Sequence, residues 1–309
     1  MIASDIFINK GLDSNFINQT FIKYFTGFFG DESIAGGYLQ KFSLFFIFSI
    51  IVFLPFSQQK KIIFMILFFI FFTYAIIFSG NRMPILIFLS SFFLLSVMEK
   101  KFRKYLVLYL FIFSLMMTGF FKFFPTSSTT QRLVSFYGGV KRIVLVAPKL
   151  FYYGELPSSS KASDMNMSFH SGHLITFNSG FQVWKQNKFF GSGLKSFRLK
   201  CKLDYKFQVC NTHPHNYLIE ILLDVGLIGF IFIYLAFGIA VKRFVLFYLS
   251  NPTLNSRLIV APFFLIFFFE IFPLRSTGSF FTTSNAVIIF FVLAIINNYY
   301  KNLSYNEIR

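Results

Sequence analysis

Two histidines stand where a polar segment of the sequence runs into a long apolar one. Residues 211–218 read Asn-Thr-His-Pro-His-Asn-Tyr-Leu, so His213 and His215 flank Pro214. An imidazole has an ordinary pKa of about 6.5 and can accept or return a proton near neutral pH. A histidine at a helix start can also serve only to cap or shape the first turn. The junction is therefore a candidate site of proton transfer, with the structural role left open.

Arg82 and Arg275 are the basic residues of two short connections between apolar runs. A guanidinium stays charged and binds phosphate oxygens in bidentate fashion, which makes both residues candidates for holding a phosphate group. The alternative is an anchoring role, in which the head group only reaches for water at a membrane boundary. Glu270 stands inside an apolar run, where a carboxylate is costly and is commonly partnered or functional. The sequence does not identify its partner.

Cys201 and Cys210 are the two cysteines of the chain, with eight residues between them. In an oxidising compartment such a pair is expected to form a disulfide. A zinc site with His213 and His215 is the alternative, although this spacing lacks the close ligand pairs of ordinary zinc sites. His170 and His173 are a weaker metal signal, because no carboxylate or cysteine stands at a matching offset. We expect no metal and no cofactor.

The composition is that of a membrane protein. Of the 309 residues, 55% are hydrophobic and 13% are charged, with 52 phenylalanines, against about 25% charged residues in ordinary soluble domains. Uninterrupted apolar runs do not alternate as barrel strands must, so we predict helices. The fold class is therefore all-α, a polytopic membrane protein with about seven transmembrane helices and one large extracytoplasmic loop. The runs lie at 42–56, 62–78, 84–98, 105–121, 217–240, 258–273 and 285–300.

The net charge of +17 is distributed as in a membrane protein and not as in a nucleic-acid-binding protein. Eleven basic residues fall in alternate connections, which the positive-inside rule places in the cytoplasm. Segment 122–216 then lies outside; it carries a net charge of +10, which suits anionic lipid phosphates or simply a solvated face. We expect a lipid bilayer and no nucleic acid as partner. The eleven are Lys60, Lys61, Lys100, Lys101, Arg103, Lys104, Lys242, Arg243, Arg257, Lys301 and Arg309.

This topology divides the chain into five parts. They are an extracytoplasmic or interfacial segment 1–41, a four-helix membrane region 42–121, a periplasmic loop 122–216, a three-helix membrane region 217–300 and a cytoplasmic tail 301–309. Helices are expected within the loop at 134–150 and 174–184. Segment 1–41 would have to cross the membrane with no helix before it, so we expect further helices upstream of it.

The junction resembles the signature of the O-antigen ligase and polymerase family, in which His is followed by Asn, Ser or Gln, nine residues and Gly-x-x-Gly. Here the pattern is His215, Asn216, nine residues, Gly226 and Gly229. Residues 190–198 resemble the family's approach to that histidine, and 79–82 resemble the arginine that follows an earlier helix. The two glycines are expected to be positions of close packing.

The resemblance implies a metal-independent glycosyltransferase of the GT-C type. Its donor would be a glycan on undecaprenyl diphosphate, and its acceptor the lipid A core or another lipid-linked glycan, on the periplasmic face of the bacterial inner membrane. His215 would be the general base, and Arg82 and Arg275 would hold the diphosphate. The supporting candidates are His213, Asn216, Arg142, Lys195 and Arg198.

Three other functions stay open. An O-antigen polymerase would share every one of these features, and the His-Asn spacing favours a ligase over it only modestly. A transporter of lipid-linked sugars would also carry basic residues near lipid head groups, but it should need a continuous polar pathway, and the apolar runs hold few ionisable residues. The third alternative is an inactive fragment that lacks the helices expected upstream.

Overall fold

A computed structural model of the chain describes residues 34–127, 129–131, 133–134, 172–203, 211–251, 253–273, 275 and 278–307. Within these ranges all regular structure is helical, and the prediction of an all-α membrane protein is confirmed. The expected helix at 134–150, apart from its first residue, and most of segment 1–41 lie outside the described residues.

The described part of the chain forms nine helices that follow the apolar runs. Such runs form helices because a helix satisfies its own backbone hydrogen bonds where no water is present. The helices are α1 (Ala35–Phe53), α2 (Gln58–Ser79), α3 (Arg82–Met98), α4 (Lys100–Phe123), α5 (Gly172–Gln186), α6 (Phe197–Leu203), α7 (Tyr217–Ser250), α8 (Leu254–Glu270) and α9 (Thr283–Glu307).

Five helices are long and apolar enough to cross a membrane: α1, α2, α4, α7 and, in α9, Thr283–Tyr300. The other two apolar runs form α3 and α8, each of 17 residues. The helix expected at 174–184 within the loop corresponds to α5.

Two compact units divide the chain, Met1–Phe151 and Tyr152–Arg309. In the first unit, α2 packs against α1, α3 and α4. Phe69 of α2 lies at the centre of this packing, with its ring against those of Phe88, Phe92 and Tyr109. The Tyr109 hydroxyl also lies 2.6 Å from Thr73 Oγ1. Rings that meet edge to face and one buried hydroxyl pair therefore join these helices.

A tight turn between α2 and α3 positions Arg82. Gly80 ends α2 in the left-handed conformation, and Asn81 Oδ1 accepts a hydrogen bond of 3.1 Å from the Gly36 backbone N–H in the first turn of α1. A Cβ on Gly36 would collide with Ser79 and Asn81, so the two segments can approach this closely only at glycine. Arg82 follows as the half-buried first residue of α3.

The second unit is built around α7, which contacts α5, α6, α8 and α9. This helix of 34 residues is interrupted at Gly226, whose φ of 68° and ψ of −174° are not helical. The signature begins with His215, just before α7, and reaches the break at Gly226; the polar side chains described next lie between these two residues.

Candidate functional site

A polar stripe of three buried side chains runs along the first turns of α7: Asn216, Glu220 and Asp224. The residues are four apart and therefore share one face of the helix. Each of them binds a segment that lies outside α7, as their hydrogen bonds show.

Asn216 caps α7 and also holds the connection between α8 and α9. Its Oδ1 accepts a hydrogen bond of 3.1 Å from the Ile219 N–H, which satisfies one of the donors exposed at the helix start. Its Nδ2 donates to the backbone carbonyls of Pro273, at 2.6 Å, and Arg275, at 3.2 Å. One amide therefore uses its oxygen for the helix and its nitrogen for the facing loop.

Glu220 binds the same connection one helical turn further on. Its Oε1 accepts a hydrogen bond from Ser279 Oγ at 2.5 Å, and its Oε2 accepts one from the Phe280 N–H at 2.6 Å. Both carboxylate oxygens of this buried side chain thus have partners, as burial of a carboxylate requires. The α8–α9 loop is fixed to α7 on both sides of Arg275.

Asp224 binds the loop between α5 and α6. Its Oδ2 accepts from the Lys195 N–H at 2.7 Å, and its Oδ1 accepts from Ser196 Oγ at 3.3 Å. Lys195 has a φ of 57°, a conformation uncommon for a residue with a side chain. The aspartate thus stabilises a tight turn that leaves the Lys195 side chain exposed.

The α5–α6 loop also completes the backbone hydrogen bonding that the break at Gly226 interrupts. In a continuous helix the carbonyls of Leu223 and Asp224 would accept from the N–H groups of Leu227 and Ile228. Instead, those carbonyls accept from Ser192 and Gly193, and those N–H groups donate to Lys188 and Phe189, at distances of 2.8–3.2 Å. The loop therefore replaces two intrahelical hydrogen bonds with four of its own.

Glycine is required on both sides of this contact. Gly191 and Gly226 both have positive φ, and a Cβ on either one would collide with the backbone of the facing segment. The sequence predicted close helix packing at Gly226; the approach is close, but the neighbour is the backbone of a loop and not another helix. Gly191 and Gly226 are far apart in the sequence, but they serve the same contact.

His215 lies directly before the polar stripe in a strained conformation. Its φ of 57° falls in the left-handed region, and it is half-buried. The ring centroids of His213 and His215 are 4.2 Å apart, and Thr212 Oγ1 lies 3.0 Å from His213 Nδ1. Such conformations occur most often where the surrounding structure fixes a functional group. Here both neighbours fix the backbone of His215: Pro214 before it is buried, and Asn216 after it caps α7.

Arg275 forms a buried ion pair that the sequence did not reveal. Its Nη1 lies 2.6 Å from Glu270 Oε1 and donates to the Phe269 carbonyl at 3.2 Å. The Tyr217 hydroxyl donates to Glu270 Oε2 at 3.4 Å. Arg275 is only 8% exposed, so its guanidinium and the Glu270 carboxylate interact in surroundings that contain little water. The Asn216 amide links this group to the backbone that carries His215.

Asn216 joins the segment that carries the half-buried His215 imidazole to the segment that carries the Arg275 guanidinium, and these two groups suit proton transfer and the binding of an anion. The family model described as O-Antigen ligase matches residues 66–234, more than half of the chain. The chain belongs to the O-antigen ligase family. Members of the O-antigen ligase family are glycosyltransferase-like membrane enzymes of O-antigen processing. The match includes Arg82, His215 and Gly226 but ends before Arg275. No curated protein and no solved structure matched the chain.

Among the other predicted residues of this O-antigen ligase family member, Lys195 contacts the polar stripe through its backbone N–H, which donates to Asp224. Arg82 belongs to the first unit. Lys195 and Arg198 are exposed on the α5–α6 loop and at the start of α6. Arg142 lies outside the described residues, so its role stays a prediction.

Cys201 is buried in α6 and takes part in a disulfide, so its sulfur is not available as a thiolate for zinc. Its expected partner Cys210 lies outside the described residues, and the pairing stays a prediction. Across the described ranges, no group of three His, Cys, Asp or Glu side chains could hold a metal ion. His170 falls in a gap of those ranges.

Sequence reasoning missed the functions of Glu220 and Asp224, and it named no partner for Glu270. The signal for the first two was present, because polar residues that recur every four positions in an apolar helix share one face. No comparable signal exists for the Glu270–Arg275 pair, because its geometry depends on how the chain turns after α8.

The double role of Asn216 leads to a prediction that separates it from an ordinary helix cap. Asp and Asn cap equally well, so a pure cap would tolerate Asn216→Asp. In this structure the new carboxylate would face two backbone carbonyls without a hydrogen to donate. We therefore expect Asn216→Asp to lower the free energy of unfolding by about 1–3 kcal/mol, measured by denaturant titration in detergent micelles.

The matched control is Thr253→Asp at the exposed cap of α8, where the side chain accepts from the Ser256 N–H. That variant should unfold like the wild type, since aspartate can accept the same hydrogen bond. Equal stability of both variants would show that Asn216 only caps the helix.

Proposed function

We propose that this protein is an O-antigen ligase that transfers a glycan from undecaprenyl diphosphate to a lipid A core acceptor, without a metal ion. The proposed location is the bacterial inner membrane, with the site facing the periplasm. The observation that carries the proposal is His215, a strained and half-buried histidine held by Asn216 at the start of α7, within the segment that matches the family.

In the proposed reaction, a hydroxyl oxygen of the acceptor sugar forms a bond to the anomeric carbon of the donor glycan. The bond from that carbon to the diphosphate oxygen breaks, and undecaprenyl diphosphate leaves with the bonding electron pair. His215 takes the hydroxyl proton as general base, a contribution of roughly 10²–10⁴-fold. His213, whose ring packs on that of His215, orients the base.

Arg275 is proposed to stabilise the charge that develops on the departing diphosphate. Its Nη1 already binds Glu270 and the Phe269 carbonyl. Its Nε makes no hydrogen bond to any described residue, but it is buried, so a phosphate oxygen can reach this donor only after a neighbouring group moves aside. Asn216 and Glu220 fix the backbone on both sides of Arg275, so the segment that carries the guanidinium would keep its position during that movement.

Four basic residues outside the α8–α9 loop are also proposed to bind phosphate. Arg82 of the first unit is proposed to bind a donor diphosphate, because a guanidinium at the start of an apolar helix suits a lipid phosphate. Arg142, Lys195 and Arg198 are proposed as supporting phosphate contacts from the segment between α4 and α7.

The role of His215 predicts a pH dependence of transfer. A general base must be neutral, so transfer should fall as the pH is lowered far enough to protonate His215 and stay level above that range. His215→Gln should lose activity at every pH and remove this dependence. The measurement is transfer of a labelled glycan by purified protein across a pH series.

His213→Gln is the matched control, because it changes the neighbouring imidazole and should keep the pH dependence at a reduced rate. A His215→Gln enzyme with the wild-type rate and pH profile would rule out this assignment.

The Arg275–Glu270 pair allows a structural role to be separated from a catalytic one. Arg275→Gln alone leaves a buried carboxylate without its cation, which should cost about 3–5 kcal/mol of stability. The double variant Glu270→Gln, Arg275→Gln removes both charges and should recover most of that loss. We expect the double variant to fold and still not transfer glycan, measured by unfolding and transfer on the same preparations.

Transfer by the double variant at the wild-type rate would mean that Arg275 only neutralises Glu270. The Glu270→Gln single variant completes the comparison: it leaves the buried guanidinium without its carboxylate and should also lose stability, but its folded fraction keeps Arg275 and should transfer glycan.

The acceptor separates a ligase from a polymerase, which the family match leaves open. If the protein is a ligase, a strain that lacks it should lose long glycan on lipid A and retain the lipid-linked polymer. Lipid A capped with single repeat units would instead indicate a polymerase. Gel analysis of lipopolysaccharide together with the lipid-linked fraction measures both products.

A further inference from the structure

The α5–α6 loop and the first turn of α6 expose four large apolar side chains, which we call the loop patch: Phe189, Phe190, Leu194 and Leu199. Their exposed fractions are 62%, 80%, 64% and 65%. None of them belongs to a candidate membrane span. A cluster of this kind marks a surface that water does not normally cover.

The exposure of the loop patch is not the result of a loosely packed loop. Beneath it, Phe197 and Cys201 pack with Val183 and Leu223 in a buried cluster. Four backbone hydrogen bonds join the loop to α7, and Asp224 holds the turn at Lys195. The fold therefore holds the four apolar side chains outward on a fixed backbone.

The loop patch continues into the lipid-facing side of a membrane span. The carbonyls of Lys188 and Phe189 accept hydrogen bonds from Leu227 and Ile228, the first residues of α7 after the break. Leu227 and Ile228 are exposed apolar residues, as is Phe232 one turn further along this span. The loop patch is thus adjacent to Leu227 and Ile228, where the exposed apolar side of α7 begins.

The charged side chains of the segment that carries the loop patch are all basic. Residues 187–200 contain four basic and no acidic side chains, and Lys188, Lys195 and Arg198 are exposed. Aromatic and aliphatic side chains beside exposed cations are the composition of a segment that lies in the head-group layer of a membrane. Anionic phosphates would satisfy the cations while the apolar side chains enter the layer below.

We propose that the loop patch inserts into the membrane interface and that Lys188, Lys195 and Arg198 bind the phosphates of anionic phospholipids. The connection between α5 and α6 would then lie in the head-group layer and not in the aqueous compartment. The donor lipid offers similar phosphate chemistry, but the inference concerns the surrounding phospholipid and does not depend on glycan transfer.

Tryptophan fluorescence tests this placement, because the chain contains a single tryptophan, Trp184. In a Trp184→Phe background, Phe190→Trp puts the only tryptophan in the loop patch. We expect lipids brominated near the head group to quench its emission in phosphatidylglycerol vesicles, and lipids brominated at the chain ends to quench it less. Phe232→Trp in the same background is the matched control, since position 232 is an exposed site within a span and should also be quenched by lipid.

A tryptophan at position 190 that brominated lipid does not quench, while the one at position 232 is quenched, would overturn the proposal. It would assign the patch to water or to a protein partner. Trp184 donates a hydrogen bond to the Lys188 carbonyl, so its loss could disturb the loop. Phe190→Trp in the wild-type background, with the Trp184 signal subtracted, makes the same distinction.

The ionic part is tested with neutral vesicles and no donor lipid. The triple variant Lys188→Gln, Lys195→Gln, Arg198→Gln should reduce the quenching at position 190 in phosphatidylglycerol to the level seen in phosphatidylcholine. Quenching that is the same in both lipids for the parent protein would overturn the assignment of the three cations to anionic phospholipid.

Discussion

The break of α7 at Gly226 imposes the constraint on which the second unit depends. A backbone that leaves the helical conformation exposes carbonyl and N–H groups, and in apolar surroundings each such group needs a partner. The α5–α6 loop supplies all four partners, and it can approach only because Gly191 and Gly226 lack side chains. The conformation of the α5–α6 loop, the break at Gly226 and the position of Asp224 therefore depend on one another.

Side chains on the same face of α7 also fix the segments that form the candidate site. Asn216 and Glu220 hold the α8–α9 loop on both sides of Arg275, and Asn216 follows His215 directly. An imidazole and a guanidinium are thus carried by two segments that one helical turn fixes to each other. Catalytic groups act best when rigid elements hold them before the substrate arrives. The first turn of α7 meets this requirement for the site proposed above.

Local pattern accounts for what the sequence could predict. The apolar runs predicted the helices, and the spacing from His215 to Gly226 predicted the family, because both are properties of contiguous residues. The Arg275–Glu270 pair could not be predicted from the sequence, since it depends on how the chain turns after α8. The segment that packs against Gly226 could not be predicted either, because a glycine indicates a close approach of another part of the chain but does not identify that part.

The buried ionisable groups of the second unit favour a fixed site over a transport path. Within its described residues these are Glu220, Asp224, Glu270 and Arg275, and each is held by short contacts to a loop or to another of the four. A transport path that ran through these groups would have to break such contacts in every cycle. Breaking a buried ion pair alone costs about 3–5 kcal/mol. An enzyme that transfers a glycan at a fixed position needs no such rearrangement, and the contacts then serve to keep the reacting groups in place.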